Sequence, residues 1–266
     1  MSTPPTAAVR GSHSLRWVIA DVLVMSQRNL LHYLRVPTLI VFSTISPIMF
    51  VLLFRYVFGG AIPVPGFNYV DYLMPGIFVQ TIAFGATQTG VGLAEDLSKG
   101  MVDRFRSLPM ARSAVLAGRT NADTVRNAFV TLLMVAVGYL VGFRFRAGVL
   151  PALAAVALVV LFGLAFSWVS ALIGLAIKDV ESVQTFSFLW TLPLTFASSA
   201  FVPIASMPGW LQAFARVNPI SIVVDATRAL STGGATSTRL IQSVLWIAAI
   251  LAVFIPLAVR KYRRIT

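Results

Sequence analysis

Cysteine is missing from this 266-residue chain, and with it go disulfide staples, thiolate nucleophiles and thiolate metal ligands. Histidine is nearly absent. His13 and His32 are the two in the chain and neither falls in an apolar run, so a histidine-rich metal site or a Ser-His-Asp arrangement has nothing to build on. Lysine is scarce too: the three lysines are followed by Gly100, Asp179 and Tyr262. An ATP-hydrolysing P-loop needs Lys followed by Ser or Thr, so that an ammonium and a hydroxyl reach the phosphates and the magnesium ion. The chain therefore cannot be its own P-loop motor. Charge itself is thin, at 11% of residues against 58% hydrophobic, with a mean hydropathy of +0.85. That balance is far more apolar than a water-soluble domain.

What is present instead is apolar length. Runs of about 20 mostly apolar residues cross a hydrocarbon core of about 30 Å as helices, and without water the backbone must bond within each helix. The class is all-α and polytopic; a β-barrel would show short alternating segments, and these runs are continuous. Six spans are expected, over Pro37–Phe58, Tyr72–Leu93, Ala128–Phe143, Val149–Ile177, Val183–Phe201 and Leu240–Val259. The third is short and should begin near Asp123; the fourth is long enough to tilt. Residues 1–36 form a cytoplasmic N-terminus and residues 37–266 the transmembrane domain. The polar opening MSTPPTAAVRGSHS leads into an amphipathic stretch, so no cleaved signal peptide is expected.

The net charge of +12 does not point to nucleic acid, because the basic residues are spread over loops and ends with few aromatics between them to stack bases. Orientation in the membrane explains it better. With both termini in the cytoplasm, fifteen Lys and Arg lie inside and six, Arg55, Arg144, Arg146, Arg216, Arg228 and Arg239, lie outside. Loops rich in Lys and Arg favour the cytoplasmic side. Arg144 and Arg146, crowding the turn after the third span, fit this orientation least.

Before the first span, Leu15 to Arg35 reads as an amphipathic helix. Asp21, Arg28, His32 and Arg35 share a polar stripe, while Ile19, Leu23, Leu30 and Leu34 line another face. It either lies along the cytoplasmic interface or is the water-exposed start of the first span, and Pro37 argues for a break between them. Pro203 to Gly234 is too polar and proline-broken to cross. Pro208–Arg216 and Pro219–Leu230 read as two short helices with proline near the first turn, either a hairpin re-entering the outer leaflet or a plain outer loop.

Glu95 to Arg126 is the one long charged passage between spans, with six basic and four acidic residues. Its second half, with Arg119 and Arg126, reads as the wet start of the third span. No acid falls mid-membrane, which disfavours a proton-coupled or ion-coupled transporter. The polar residues that do enter the spans are uncharged. Gln80, Phe84 and Gln88 recur every four residues with Thr81 alongside, on one helix face, and the fifth span carries Thr191 and Thr195 among other hydroxyls. These six residues either line a path for an amphiphilic substrate or join helices by hydrogen bonds.

Four passages carry a family pattern: QRNLLHYLRVP before the first span, GMVDRFRSLPMAR after the second, VGFRFR after the third, and MPGWLQAFARVNPISIVVDATRAL before the sixth. In these the chain resembles the membrane subunits of type-2 ABC exporters, particularly daunorubicin-resistance-type permeases. The resemblance implies a cytoplasmic coupling helix between the second and third spans. It also implies that two permeases, identical copies or siblings, pair with two ATP-binding subunits that hold the ATP and magnesium. The coupling residues would be Glu95, Asp96, Lys99, Gly100, Arg104, Arg106, Pro109 and Arg112; the arginines offer donors to acidic or carbonyl partners, or else they only fix topology and touch lipid headgroups. The expected role is a permease of the cell membrane, not itself an enzyme and binding no cofactor, that exports a drug, antibiotic or lipid. The rivals are export of a polyketide-like or lipid envelope component and an intramembrane lipid-modifying enzyme, the latter lacking a cluster of acids or histidines.

Overall fold

The computed structural model describes residues 15–35, 37–58, 68–101, 112–234 and 237–265, and no strand occurs among them. The helices in chain order are α1 (Leu15–Arg35), α2 (Pro37–Leu52, continued by a π-helical turn Leu53–Phe58), α3 (Tyr69–Ser98), α4 (Arg112–Leu140), α5 (Val149–Ile177), α6 (Val180–Phe196), α7 (Gly209–Val217), α8 (Pro219–Thr232) and α9 (Ser237–Ile265). Four stretches among the described residues are long and apolar enough to cross a membrane: Tyr69–Ser98, Leu116–Leu140, Val149–Ile177 and Ser237–Arg264. α6 is shorter: its 17 residues reach about 25 Å at 1.5 Å per residue.

The punctuation is local. Asp179 caps α6 by accepting the Ser182 N–H at 2.8 Å; this bond holds its carboxyl below the usual carboxylate range. Lys178 closes α5 in the left-handed region at φ 65°, its N–H donating to the Gly174 carbonyl. Asn218 caps α8 through the Ile220 N–H, with Pro219 at the first helical position. Its amide also donates to the Leu194 and Ala197 carbonyls at 2.7 and 3.0 Å, closing the end of α6 onto α8.

The core is the α3–α5 pair. The two cross with bare backbones in contact: a Cβ on Gly90 would collide with the Ser170 carbonyl, and one on Gly174 with the Gly90 carbonyl. Small residues at such crossings are how helices associate where no hydrophobic effect drives them together. α4 packs against both helices of this pair, α6 mainly against α3, and α9 against α5. α8 is buried against α3, α5 and α9, with Ile220, Val223, Val224 and Ala226 fully enclosed. Its partner α7 exposes Trp210 and Phe214, so the two halves of the expected hairpin differ in burial. α1 docks on α4, and Ile19, His32, Leu34 and Arg35 of the two stripes read from the sequence lie outside the described side chains. Met25, Ser26 and Asn29 form the buried face, because Gly118 leaves room for Met25 and Asn121 donates to the Ser26 hydroxyl at 3.0 Å.

Three expected boundaries shift. The fifth segment ends at Phe196 rather than Phe201, the last residues forming turns that carry Ser198 and Ser199 into α8. The sixth extends in both directions, to Ser237 and Ile265. The third is helical from Arg112 to Leu140, beginning eleven residues before the expected start near Asp123.

Candidate functional site

α2, α3, α4 and α6 enclose a cavity of about 350 Å³, within the range of small-molecule sites. It lies at mid-length of α3 and α4. Gln80, Thr81, Phe84 and Gln88 all line it, so the four-residue spacing read from the sequence does present one surface. Phe50 from α2 and Phe188, Leu192 and Phe196 from α6 supply the greasy walls. Phe84 and Phe188 meet across it with ring centroids 5.8 Å apart. Pro47, which cannot donate to the preceding turn of α2, faces the same space.

Thr191 and Thr195 do not line the cavity. They sit, fully buried, on the neighbouring face of α6 with Ser187. Thr195 turns its hydroxyl back to the Thr191 carbonyl at 2.8 Å. One step of 100° around the helix separates this small hydroxyl face from the apolar face of Phe188, Leu192 and Phe196, which is the one the cavity uses. Small side chains let α6 approach α3, and large ones bound a space.

The cavity also holds residues that hydropathy passed over, Arg126 and Asn127 of α4. One face of the stretch read as the wet start of the third span is instead buried: Asp123 is 0% and Arg126 9% exposed. The reason is pairing across to α3. The Thr89 hydroxyl donates to Asp123 Oδ2 at 2.5 Å, and Arg126 Nη2 donates to the Gly85 carbonyl at 2.6 Å. Arg119 and Arg126 each stand 3.9 Å from a carboxylate oxygen of Asp123, and Arg119 reaches Asp96 at 3.3 Å. Gly92 makes this possible, since any side chain there would occupy the place of the Arg119 guanidinium. Asp123, expected near the start of the third span, lies inside the membrane-length stretch Leu116–Leu140. Two acids and two arginines balance, and that is what makes burial of four charges tolerable. Hydropathy scores each residue alone. The spacing of Arg119, Asp123 and Arg126 by four and three residues was the signal available in the sequence, because it puts all three on one face.

At the end of α3 that carries Lys99, Glu95 and Lys99 form an exposed pair at 2.6 Å, which raises the Lys99 pKa. Asp96 is turned inward to Arg119. Gly100 breaks the helix at φ +66°, a conformation that favours glycine. Arg112 opens α4, while Arg104, Arg106 and Pro109 lie outside the described residues.

The opposite end is knotted by a second charged group. Arg146 pairs with buried Asp71 at 2.6 Å, and Arg144 donates to the Tyr139 and Phe143 carbonyls. The two arginines that fit the expected orientation least therefore have specific partners. Arg228 of α8 pairs with Asp225 at 2.9 Å, lies 3.6 Å from the Tyr72 ring centroid, and donates to the Tyr72 and Ser199 carbonyls. No group of three or more residues capable of holding a metal occurs among the described residues.

Comparison with known proteins follows the same chain of residues. The family model described as ABC-2 type transporter matches residues 20–231. The daunorubicin resistance ABC transporter permease protein of Streptomyces coeruleorubidus is 35% identical over 247 residues, 92% of this chain and 87% of the relative. The probable doxorubicin resistance ABC transporter permease protein of Mycobacterium tuberculosis is 28% identical over 262 residues, 98% of this chain and 94% of its own length.

Proposed function

This chain belongs to the ABC-2 type transporter family, and from that premise we propose that it is the membrane subunit of an ATP-driven exporter of hydrophobic or amphipathic compounds. Export of drugs is the favoured task, by analogy with relatives named for daunorubicin and doxorubicin resistance. The observation that carries the proposal is the mid-length cavity, with four aromatic walls and the amides of Gln80 and Gln88 on one side. Such a lining suits an amphiphile that needs apolar contact and a few hydrogen bonds.

Energy would come from a separate subunit, since no lysine of this chain is followed by Ser or Thr. Two ATP-binding subunits, holding ATP and magnesium, would sit under two permeases, a second copy or a sibling. Six membrane crossings are assigned, with α6 as the shortest. Both termini then lie in the cytoplasm and the Lys99 end of α3 faces the ATPase. The α7–α8 pair is the outer hairpin, entering the outer leaflet by its buried half, and α1 lies along the inner interface. Residues Glu95 to Arg112 would carry ATPase closure to the helices. That closure shifts the population between inward-open and outward-open states, so this chain moves its substrate without reacting with it.

The test is purification of the permease with the ATPase encoded beside its gene, reconstitution in liposomes, and measurement of doxorubicin-stimulated ATP hydrolysis. Stimulation that disappears in the double variant Arg104→Glu, Arg106→Glu supports the proposal. Absence of any co-purifying ATPase sinks it, and intact export in that variant removes Glu95 to Arg112 as the coupling segment.

A further inference from the structure

We infer that Asp123 is a positioning residue for transport: one carboxylate holds Arg126 at the cavity wall and, through Arg119 and Asp96, ties that wall to the Lys99 end of the bundle. The inference rests on the proposed coupling to an ATPase at that end.

The geometry is a ladder between two antiparallel helices. Gly85, Thr89, Gly92 and Asp96 fall on one face of α3, and Arg126, Asp123 and Arg119 face them in reverse order from α4. Asp123 is the middle rung and the one with no exposure to solvent. It is hydrogen-bonded by Thr89 and flanked by both arginines at 3.9 Å. From Arg119 to Arg126 is about 10 Å along the helix axis, so the ladder spans the distance from the charged end to the cavity. A displacement of α3 against α4 at Asp96 would separate charges from their partners in a low-dielectric interior, which is costly. The two helix segments therefore move together, and a pull on the segment that joins them arrives at Arg126. Any compound filling the cavity lies against that guanidinium.

A charge staple that merely holds the fold would look the same in a static structure, so the test separates stapling from coupling. Asp123→Asn keeps the shape and an acceptor for Thr89 but removes the charge; Asp123→Asn with Arg119→Gln restores neutrality among the four groups while leaving the ladder cut. The prediction is that the double variant recovers wild-type yield and melting temperature. Its doxorubicin-stimulated ATP hydrolysis and export should nevertheless fall by about 2- to 30-fold, the range that residues along a coupling network command, with basal hydrolysis unchanged. A second reading needs no ATPase. Because the chain lacks cysteine, Gln88→Cys places one thiol on the cavity, and its labelling rate with a membrane-permeant maleimide reports the wall directly. Asp96→Asn, at the far rung, should change that rate by about twofold or more. Wild-type export in the neutral double variant, or an unaltered labelling rate in both Asp96→Asn and Asp123→Asn, overturns the inference. If the wild-type complex shows no stimulated hydrolysis while labelling responds as stated, the ladder stands and the exporter proposal is what fails.

Discussion

Two charged groups bracket the α3–α5 core, and they are built differently. The ladder of Asp96, Arg119, Asp123 and Arg126 runs along a single pair of helices and finishes at a cavity. The knot of Arg228, Asp225, Tyr72 and Ser199 instead ties together three pieces of chain far apart in sequence, α3, α8 and the turn after α6. Its arginine spends its donors on backbone carbonyls and lies flat on a ring, a planar fit that a lysine cannot copy. The same residue types thus serve two ends. Charges aligned along one pair of helices make that pair move as a unit, whereas charges crossed between unrelated segments fix those segments to one another.

The comparison breaks first at the knot. Arg228→Ala removes the cation of the knot and leaves Asp225, which keeps the Ser199 hydroxyl, without its counter-charge, and loss of one partner of a buried pair costs about 3–5 kcal/mol. The expected outcome is a collapse in detergent-solubilised yield and a lowered melting temperature, with Arg228→Lys recovering little. A variant that melts within a degree of wild type refutes the knot. Next comes the core between the two groups: Gly174→Ala drives a methyl into the Gly90 carbonyl and should cost about 1–3 kcal/mol, as overpacking does. Thermal unfolding followed by circular dichroism reads it, and unchanged melting would mean that α3 and α5 do not touch there.

A smaller effect sharpens the contrast between structural and functional faces on α6. Phe188→Ala should weaken doxorubicin binding by about 2- to 10-fold, the worth of one aromatic contact, and leave melting nearly unchanged. Thr191→Ala should leave binding unchanged and shift only the melt. Equilibrium fluorescence titration of the two variants decides the matter, and equal affinities would remove Phe188 from the cavity. The smallest effect belongs to Arg146→Gln. Asp71 is buried but the Arg146 side chain is 59% exposed, so solvent screening holds the loss below about 1 kcal/mol. That loss should shrink further in high salt; a larger, salt-independent loss would place this pair with the knot.

Much of the fold was legible because its punctuation is local. Leu15–Arg35 and Val149–Ile177 were read to the residue, the first from Pro37 beyond it and the second from unbroken apolar length between Gly148 and Lys178. Pro219 announced α8 for the same reason. The start of α4 was not legible, since Asp123 and Arg126 are hydrophilic only until Thr89 and the Gly85 carbonyl are brought to them. On α3 the periodicity grouped Gln80, Phe84 and Gln88 correctly, because that helix meets the cavity by the face that carries its amides. On α6 the same reasoning chose the hydroxyl face, although the cavity lies beside the phenylalanines. Period tells which residues stand together; only the partner helix tells where they look.

The bare contact between Gly90 and Gly174 has a mechanical consequence. Two backbones that touch without interleaved side chains resist compression but give little torque against a change in crossing angle, so the contact is a pivot. Gln80 stands about 15 Å along α3 from that pivot. A swing of about 10° therefore carries it by roughly 2.6 Å, by the same helical rise, a stroke on the scale of a side chain. The pair has in its glycines a fulcrum, and in the ten residues from Gly90 to Gln80 the arm of a lever.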